Sequence, residues 1–165
     1  MATTSFPITW DLASLAPNPA TPEFRQHLDQ FKSKLAEFAA STNALPPVDA
    51  EGPSVVRWVL TMTDYEVLDT RATDLRALVE CYAAADAENK SYQQLQAELS
   101  TLTPLREQIA TNIEFALKEA TDEGFAALVA AAPELRRNEY FLVTRRRNPA
   151  LRWPKDQERW AADLA

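Results

Sequence analysis

The 165-residue chain has two glycines, Gly52 and Gly124, one cysteine, Cys81, and one histidine, His27. Each scarcity closes off a class of protein. An average chain carries roughly 7% glycine, and two residues leave almost no material for hairpin turns of positive φ or for Gly-rich loops that cradle phosphates. Most β-rich and nucleotide-binding architectures are therefore excluded. One cysteine excludes an internal disulfide and any multi-cysteine metal site. Its neighbours Leu78, Val79 and Tyr82 predict an inert thiol in a helix core. With a single histidine no His-x-x-x-His pair can form, and no Gly-x-Ser-x-Gly elbow accompanies it. His27 stands beside the first apolar stripe and is expected to face solvent. No apolar run approaches the roughly 18 residues of a membrane span, and Met1 to Trp10 lacks the basic and apolar regions of a signal peptide. A soluble, cytoplasmic chain without a membrane partner is expected. The formal charge of −7 and pI near 4.8 repel phosphate backbones, so nucleic acid is not an expected partner.

What is abundant is helix-forming: 28 alanines and 19 leucines within a chain that is 46% hydrophobic. That is enough apolar material to fill a core. Pro7, Pro17 and Pro19 make residues 1–20 an extended arm, with Trp10-Asp11-Leu12-Ala13-Ser14-Leu15 forming one capped turn that anchors it. Residues 21–165 then read as a single helical domain. Thr21-Pro22-Glu23 combines a hydroxyl cap, a proline at the first helical position and an acid at the positive end of the dipole. Phe24, Leu28, Phe31, Leu35 and Phe38 follow in steps of three and four, giving a helix over about 21–41.

Residues 43–54 read as a linker. A second stripe (Val55, Trp58, Met62, Tyr65, Leu68, Ala72, Leu75, Val79, Tyr82) predicts one helix over 55–85, with Asp69-Thr70 as the place where it would break. The third stripe (Tyr92, Leu95, Leu99, Leu102, Leu105, Ile109, Ile113, Ala116) predicts a helix over 89–119, kinked near Thr101 to Thr103 by Pro104. A short helix follows the Thr121-Asp122-Glu123 cap. Another starts at Pro133 and runs to Arg145-Arg146-Arg147, where Asn148-Pro149 stops it. The segment Lys155 to Leu164 stops in mid-pattern with Trp160 unburied, which suggests a continuing chain. The expected fold is all-α: an antiparallel bundle of long helices, shorter C-terminal helices and the extended arm.

Asp64, Glu66, Asp69 and Asp74 crowd the second helix; such acids could serve general acid-base chemistry in a closed pocket, but a solvated helix face explains them. The arginines 136, 137, 145, 146, 147 and 152 run against the acidic net charge. Basic residues suit a helix C-terminus, yet three consecutive arginines point in different directions, so capping does not require all of Arg145, Arg146 and Arg147. They are the candidate residues for contact with another domain or with a peptide carboxylate.

The Trp10-Asp11-Leu12-Ala13-Ser14-Leu15 opening, the Thr21-Pro22-Glu23-Phe24 helix start, the paired long stripes and the Leu135-Arg136-Arg137…Tyr140-Phe141-Leu142…Arg145-Arg146 segment resemble the N-terminal region of oligoendopeptidase F, a branch of the thimet-like zinc oligopeptidases. The likeness spans almost the whole chain in order and spacing. It implies a longer enzyme in which this part is a non-catalytic lobe walling a channel for short unstructured peptides. The partners it implies are the chain's own catalytic domain and an oligopeptide substrate. The family's zinc site, a His-Glu-x-x-His helix with a later glutamate, has no counterpart here, nor have the tyrosine and histidine that steady the tetrahedral intermediate. No catalytic, cofactor-binding or metal-binding residue is therefore carried over; zinc is expected only in the full-length enzyme. The contrasting reading is a free-standing helical module that binds a partner protein in its grooves.

Overall fold

A computed structural model describes residues 17–147, and within them the protein is all-helical, with no strand. Seven helices follow in order: α1 Pro22–Thr42, α2 Gly52–Ala85, α3 Lys90–Ser100, α4 Thr103–Lys118, α5 Asp122–Ala131, α6 Pro133–Arg137 and α7 Glu139–Arg147. The anchored turn at Trp10 to Leu15, the Asn148-Pro149 stop, Arg152 and the segment Lys155 to Leu164 lie outside the described residues, as does most of the arm.

The chain enters α1 through a turn at Asn18, whose carbonyl accepts from Thr21 Oγ1 at 2.7 Å while its Oδ1 accepts from the Ala20 amide at 2.8 Å. Thr21 Oγ1 in turn accepts from the Phe24 amide, the cap anticipated from the sequence. All five residues of the first stripe are buried.

Helix α2 begins at Gly52, three residues before the stripe, because Pro53 fits the first turn and the Val55 amide already bonds Glu51 O at 2.9 Å. It runs unbroken for 34 residues, about 50 Å, straight through Asp69-Thr70. Its Trp58 is fully buried, and Nε1 donates to Pro47 O at 3.2 Å, pinning the 43–51 linker to the helix. Thr61, 2% exposed, is the poorly matched residue of this face: its hydroxyl has no hydrogen-bond partner, whereas Thr63 and Thr73 each donate to the carbonyl four residues back. Removing an unpaired buried hydroxyl at constant shape relieves a desolvation cost. Thr61→Val should raise stability by about 1 kcal/mol, seen as a higher urea midpoint with an unchanged slope.

Two expectations on helix continuity need correction. The third stripe is not one kinked helix but two, α3 and α4, separated at Thr101-Leu102. Pro104 in the first turn of α4 has no amide to bond Ser100, and the chain tightens instead into i→i−3 bonds, Thr101 N to Glu98 O and Leu102 N to Leu99 O. The second correction is the helix expected from Pro133 to Arg147, which divides into α6 and α7 at Asn138 (φ −97°, ψ 14°). Asn138 donates from its side chain to Glu134 O at 3.2 Å and from its amide to Leu135 O, which diverts the backbone from the α-helical pattern.

Helix α4 packs against α1 on one side and α7 on another; α2 packs chiefly against α3, and α5 against α6. The buried apolar residues from Phe24 to Leu142, Phe115 apart, form one cluster. No helix among the described residues is long and apolar enough to cross a membrane.

Candidate functional site

Successive residues on a helix diverge by about 100°, and the structure gives each of the three arginines ending α7 a different destination. Arg145 is three-quarters buried. Its Nη1 donates to Glu114 Oε1 at 2.8 Å and its Nη2 to the Tyr65 hydroxyl at 3.0 Å, with the guanidinium over the Phe141 and Tyr65 rings. Arg146 donates to Leu117 O at 3.2 Å and Ala120 O at 2.7 Å, pairs with Asp122 and lies over Phe125. It thereby adds side-chain donors to carbonyls at and just past the C-terminal end of α4, where intrahelical partners run out. Arg147 is exposed. Of the other arginines flagged in the sequence, Arg136 bonds Ala130 O at 2.9 Å and Arg137 is exposed. Two of the three candidate residues are thus engaged inside the chain, and only Arg147 presents its charge outward.

Glu114 is the functional-looking residue that the sequence pattern does not reveal: its side chain is completely buried. A lone carboxylate is expensive to bury, and Arg145 supplies both the opposing charge and a donor while its other Nη is held by the Tyr65 hydroxyl. Burial pushes the Tyr65 hydroxyl above its ordinary pKa, against a smaller pull downward from Arg145. Glu114 lies between Ile113 and Phe115 in a helix packed on two sides, and the whole run Asn112 to Phe115 is buried, an environment that no sequence spacing discloses. Asn112 in that run donates to Thr42 Oγ1 and Asn43 Oδ1, both at 3.1 Å, tying the end of α1 to α4.

At the other end of the molecule, Arg25 and Lys32 of α1 both grip Glu98 of α3, Arg25 at 2.6 Å. Burial opposes ionisation of Glu98, but hydrogen bonds from Lys32 and Arg25 outweigh it and hold the carboxyl below the ordinary glutamate range. A depressed folded-state pKa contributes stability above the unfolded value, and that contribution is lost as pH falls through the folded one. Glu98→Gln should therefore cost about 1 kcal/mol at neutral pH. The difference from the parent protein should vanish in acid, as measured by denaturant melts across pH.

Asp64, Glu66 and Asp74 are exposed, as a solvated face requires, and Asp69 pairs with Arg106 at 2.5 Å. Cys81 corrects an expectation: it is exposed. Two residues past the buried Val79, it sits about 200° around the helix from the stripe. His27 is half-buried rather than solvent-facing, with Nδ1 shielded and lacking a hydrogen-bond partner. Among the described residues no group of three or more His, Cys, Asp or Glu side chains is placed to hold a metal ion.

Compared with protein-family models, with curated proteins and with solved structures, the chain matches none.

Proposed function

We propose that the chain is the non-catalytic N-terminal helical lobe of a zinc-dependent oligoendopeptidase of the cytoplasm, walling a channel that admits short unstructured peptides. The observation that carries this reading is the ordered likeness from Trp10 to Arg146 to the N-terminal region of oligoendopeptidase F. The physical logic supports it. A zinc ion that polarises a carbonyl and activates water is indiscriminate by itself, so selectivity must come from walls that bar folded proteins. A 34-residue helix with no break, braced by buried aromatic and arginine side chains, is suited to that task.

The reading includes an antiparallel course of the long helices. Tyr82 stacks near Tyr92, Asp69 pairs with Arg106, and Tyr65 meets Arg145 on the helix beside Glu114, so contacts climb one helix as they descend the next. It also includes the anchored arm over residues 1–20 and a docking contact through Arg147.

The reading frame beyond Ala165 tests the proposal: a downstream His-Glu-x-x-His supports it, and a stop codon contradicts it. In the full-length enzyme, Arg147→Glu should lower stability by more than about 1 kcal/mol, beyond the usual range for surface changes, if Arg147 meets the catalytic domain. A higher KM with unchanged stability would place it in the channel, and no change in either would remove the contact from the proposal.

One observation favours the alternative of a free-standing interaction module. Val56, Leu60 and Val67, spaced four and seven residues apart on α2, are each half exposed or more. That spacing keeps them on one outward face, the kind of stripe a partner helix covers.

A further inference from the structure

Helix α2 carries two lines of residues in steps of three and four. One is the stripe from Val55 to Tyr82, packed on the core; the other lies about 180° around the helix. Val56, Leu60, Thr63 and Val67 are the first half of that second line, and the same steps continue it through Thr70 and Asp74 to Ala77, Cys81 and Ala84. All of these side chains are exposed. Such a repeat is the seam of a paired helix, and this one runs about 42 Å along α2.

The seam is graded. Its N-terminal half holds the bulky Val56, Leu60 and Val67, its C-terminal half the small Ala77, Cys81 and Ala84, and its one charge is Asp74. A second copy laid parallel would stack bulky on bulky and small on small, and would set two Asp74 carboxylates face to face. Laid antiparallel, about a two-fold axis at the level of Leu68 and Asp69, the grading complements itself. Val56 then faces the partner's Cys81, Leu60 the partner's Ala77, and Asp74 the partner's Thr63.

The edges of the seam agree with this register. Asp64 and Arg71 stand on one edge, on either side of the axis, and among the described residues neither forms an ion pair. In the antiparallel pair each Asp64 lies beside the partner's Arg71, twice by symmetry. On the other edge Glu66 falls beside the partner's Thr73 and Glu80 beside the partner's Val59, so like charges meet on neither side.

We propose that α2 pairs antiparallel with α2 of a second copy of this chain along this seam. A strip about 42 Å by 10 Å on each copy is at the small end of specific interfaces, so the dimer is weak, with a dissociation constant in the micromolar range. The pairing does not depend on the peptidase reading, and the frame beyond Ala165 bears on that reading alone.

Sedimentation velocity of the 165-residue chain from low micromolar to near-millimolar concentration should show monomer passing to dimer. Val67→Glu, at an exposed position next to the axis, should weaken association at least tenfold with helix content unchanged. Asp64→Arg should weaken it severalfold, and adding Arg71→Asp should restore it, although the two positions are about 10 Å apart within one helix. Orientation is read by mild oxidation. The Val56→Cys variant should give a covalent dimer whose bridge joins position 56 to the partner's Cys81. The unaltered chain, with its two Cys81 thiols about 38 Å apart along the pair, should not cross-link at the same concentration. A monomer throughout the range would overturn the proposal, since the face is then solvated or covered by something else. Association unchanged by Val67→Glu would overturn it by placing the contact elsewhere, and a bridge from Cys81 to Cys81 by making the pair parallel. A double exchange that associates no better than Asp64→Arg would refute the register. Should Val67→Glu lower helix content, the position of the bridge decides alone.

Discussion

Replacing Arg145 with methionine should lower stability by about 3 kcal/mol, the cost typical of removing one partner from a buried ion pair. Methionine preserves much of the apolar stem, so the loss isolates the guanidinium. That group serves Glu114, which is wholly buried, and the Tyr65 hydroxyl, and it spans the Tyr65 and Phe141 rings. Without it the Glu114 carboxylate keeps its burial and loses its cation. A second substitution separates charge from packing: Glu114→Gln in the Arg145→Met background should recover part of the loss, because neither half of the pair then carries a charge. Denaturant unfolding of the two single variants and the double variant measures the coupling. Additive effects would show that Arg145 contributes packing alone.

Gly124→Ala should destabilise by about 2 kcal/mol, in the range of an overpacked site, although the same change in an open helix gains up to about 1 kcal/mol. Gly124 lies in the first turn of α5 and has an ordinary negative φ, so backbone conformation gives no reason for glycine. Space does. A Cβ at this position would stand 2.6 Å from the Val48 carbonyl oxygen and 3.1 Å from Thr121 Oγ1. The first belongs to the linker that Trp58 holds through Pro47, and the second is the hydroxyl that caps α5 by accepting from the Gly124 amide. Neither can yield without breaking a contact that locates the linker or the helix. Gly52, where an added Cβ would meet nothing within 4 Å, is the control: Gly52→Ala should be neutral or mildly stabilising. A thermal melt of both variants checks the contrast, and equal effects would remove the steric account.

How much could be read in advance varied with how local the deciding physics is. Helix α1 was legible because its cap, its first-turn proline and its five-residue stripe all lie within one short stretch and agree. The same held for the cap of α5 at Thr121. The breaks at Leu102 and Asn138 were not legible, because both stripes continue past them and the difference between a kink and an end lies in which amide finds which carbonyl. Cys81 is misplaced when its sequence neighbours are read as spatial ones; counted around the helix from Val79 it belongs outside. Arg145 and Glu114 are separated by 31 residues and meet only because α7 returns to α4. No local pattern announces such a pair. A cavity beside Arg106 depends likewise on four helices, α1 to α4, and the break between the last two.

In the proposed reading this chain shapes a substrate channel, and a zinc domain of the same enzyme carries the chemistry. Zinc content after dialysis, measured together with hydrolysis of a short peptide, tests this most directly when residues 1–165 are compared with the protein encoded by the frame continued past Ala165. One zinc and chelator-sensitive cleavage are expected in the longer protein, and neither in the 165-residue chain. One zinc per chain with chelator-sensitive cleavage in residues 1–165 alone would contradict that reading, as would a continued frame that yields no zinc-dependent peptidase.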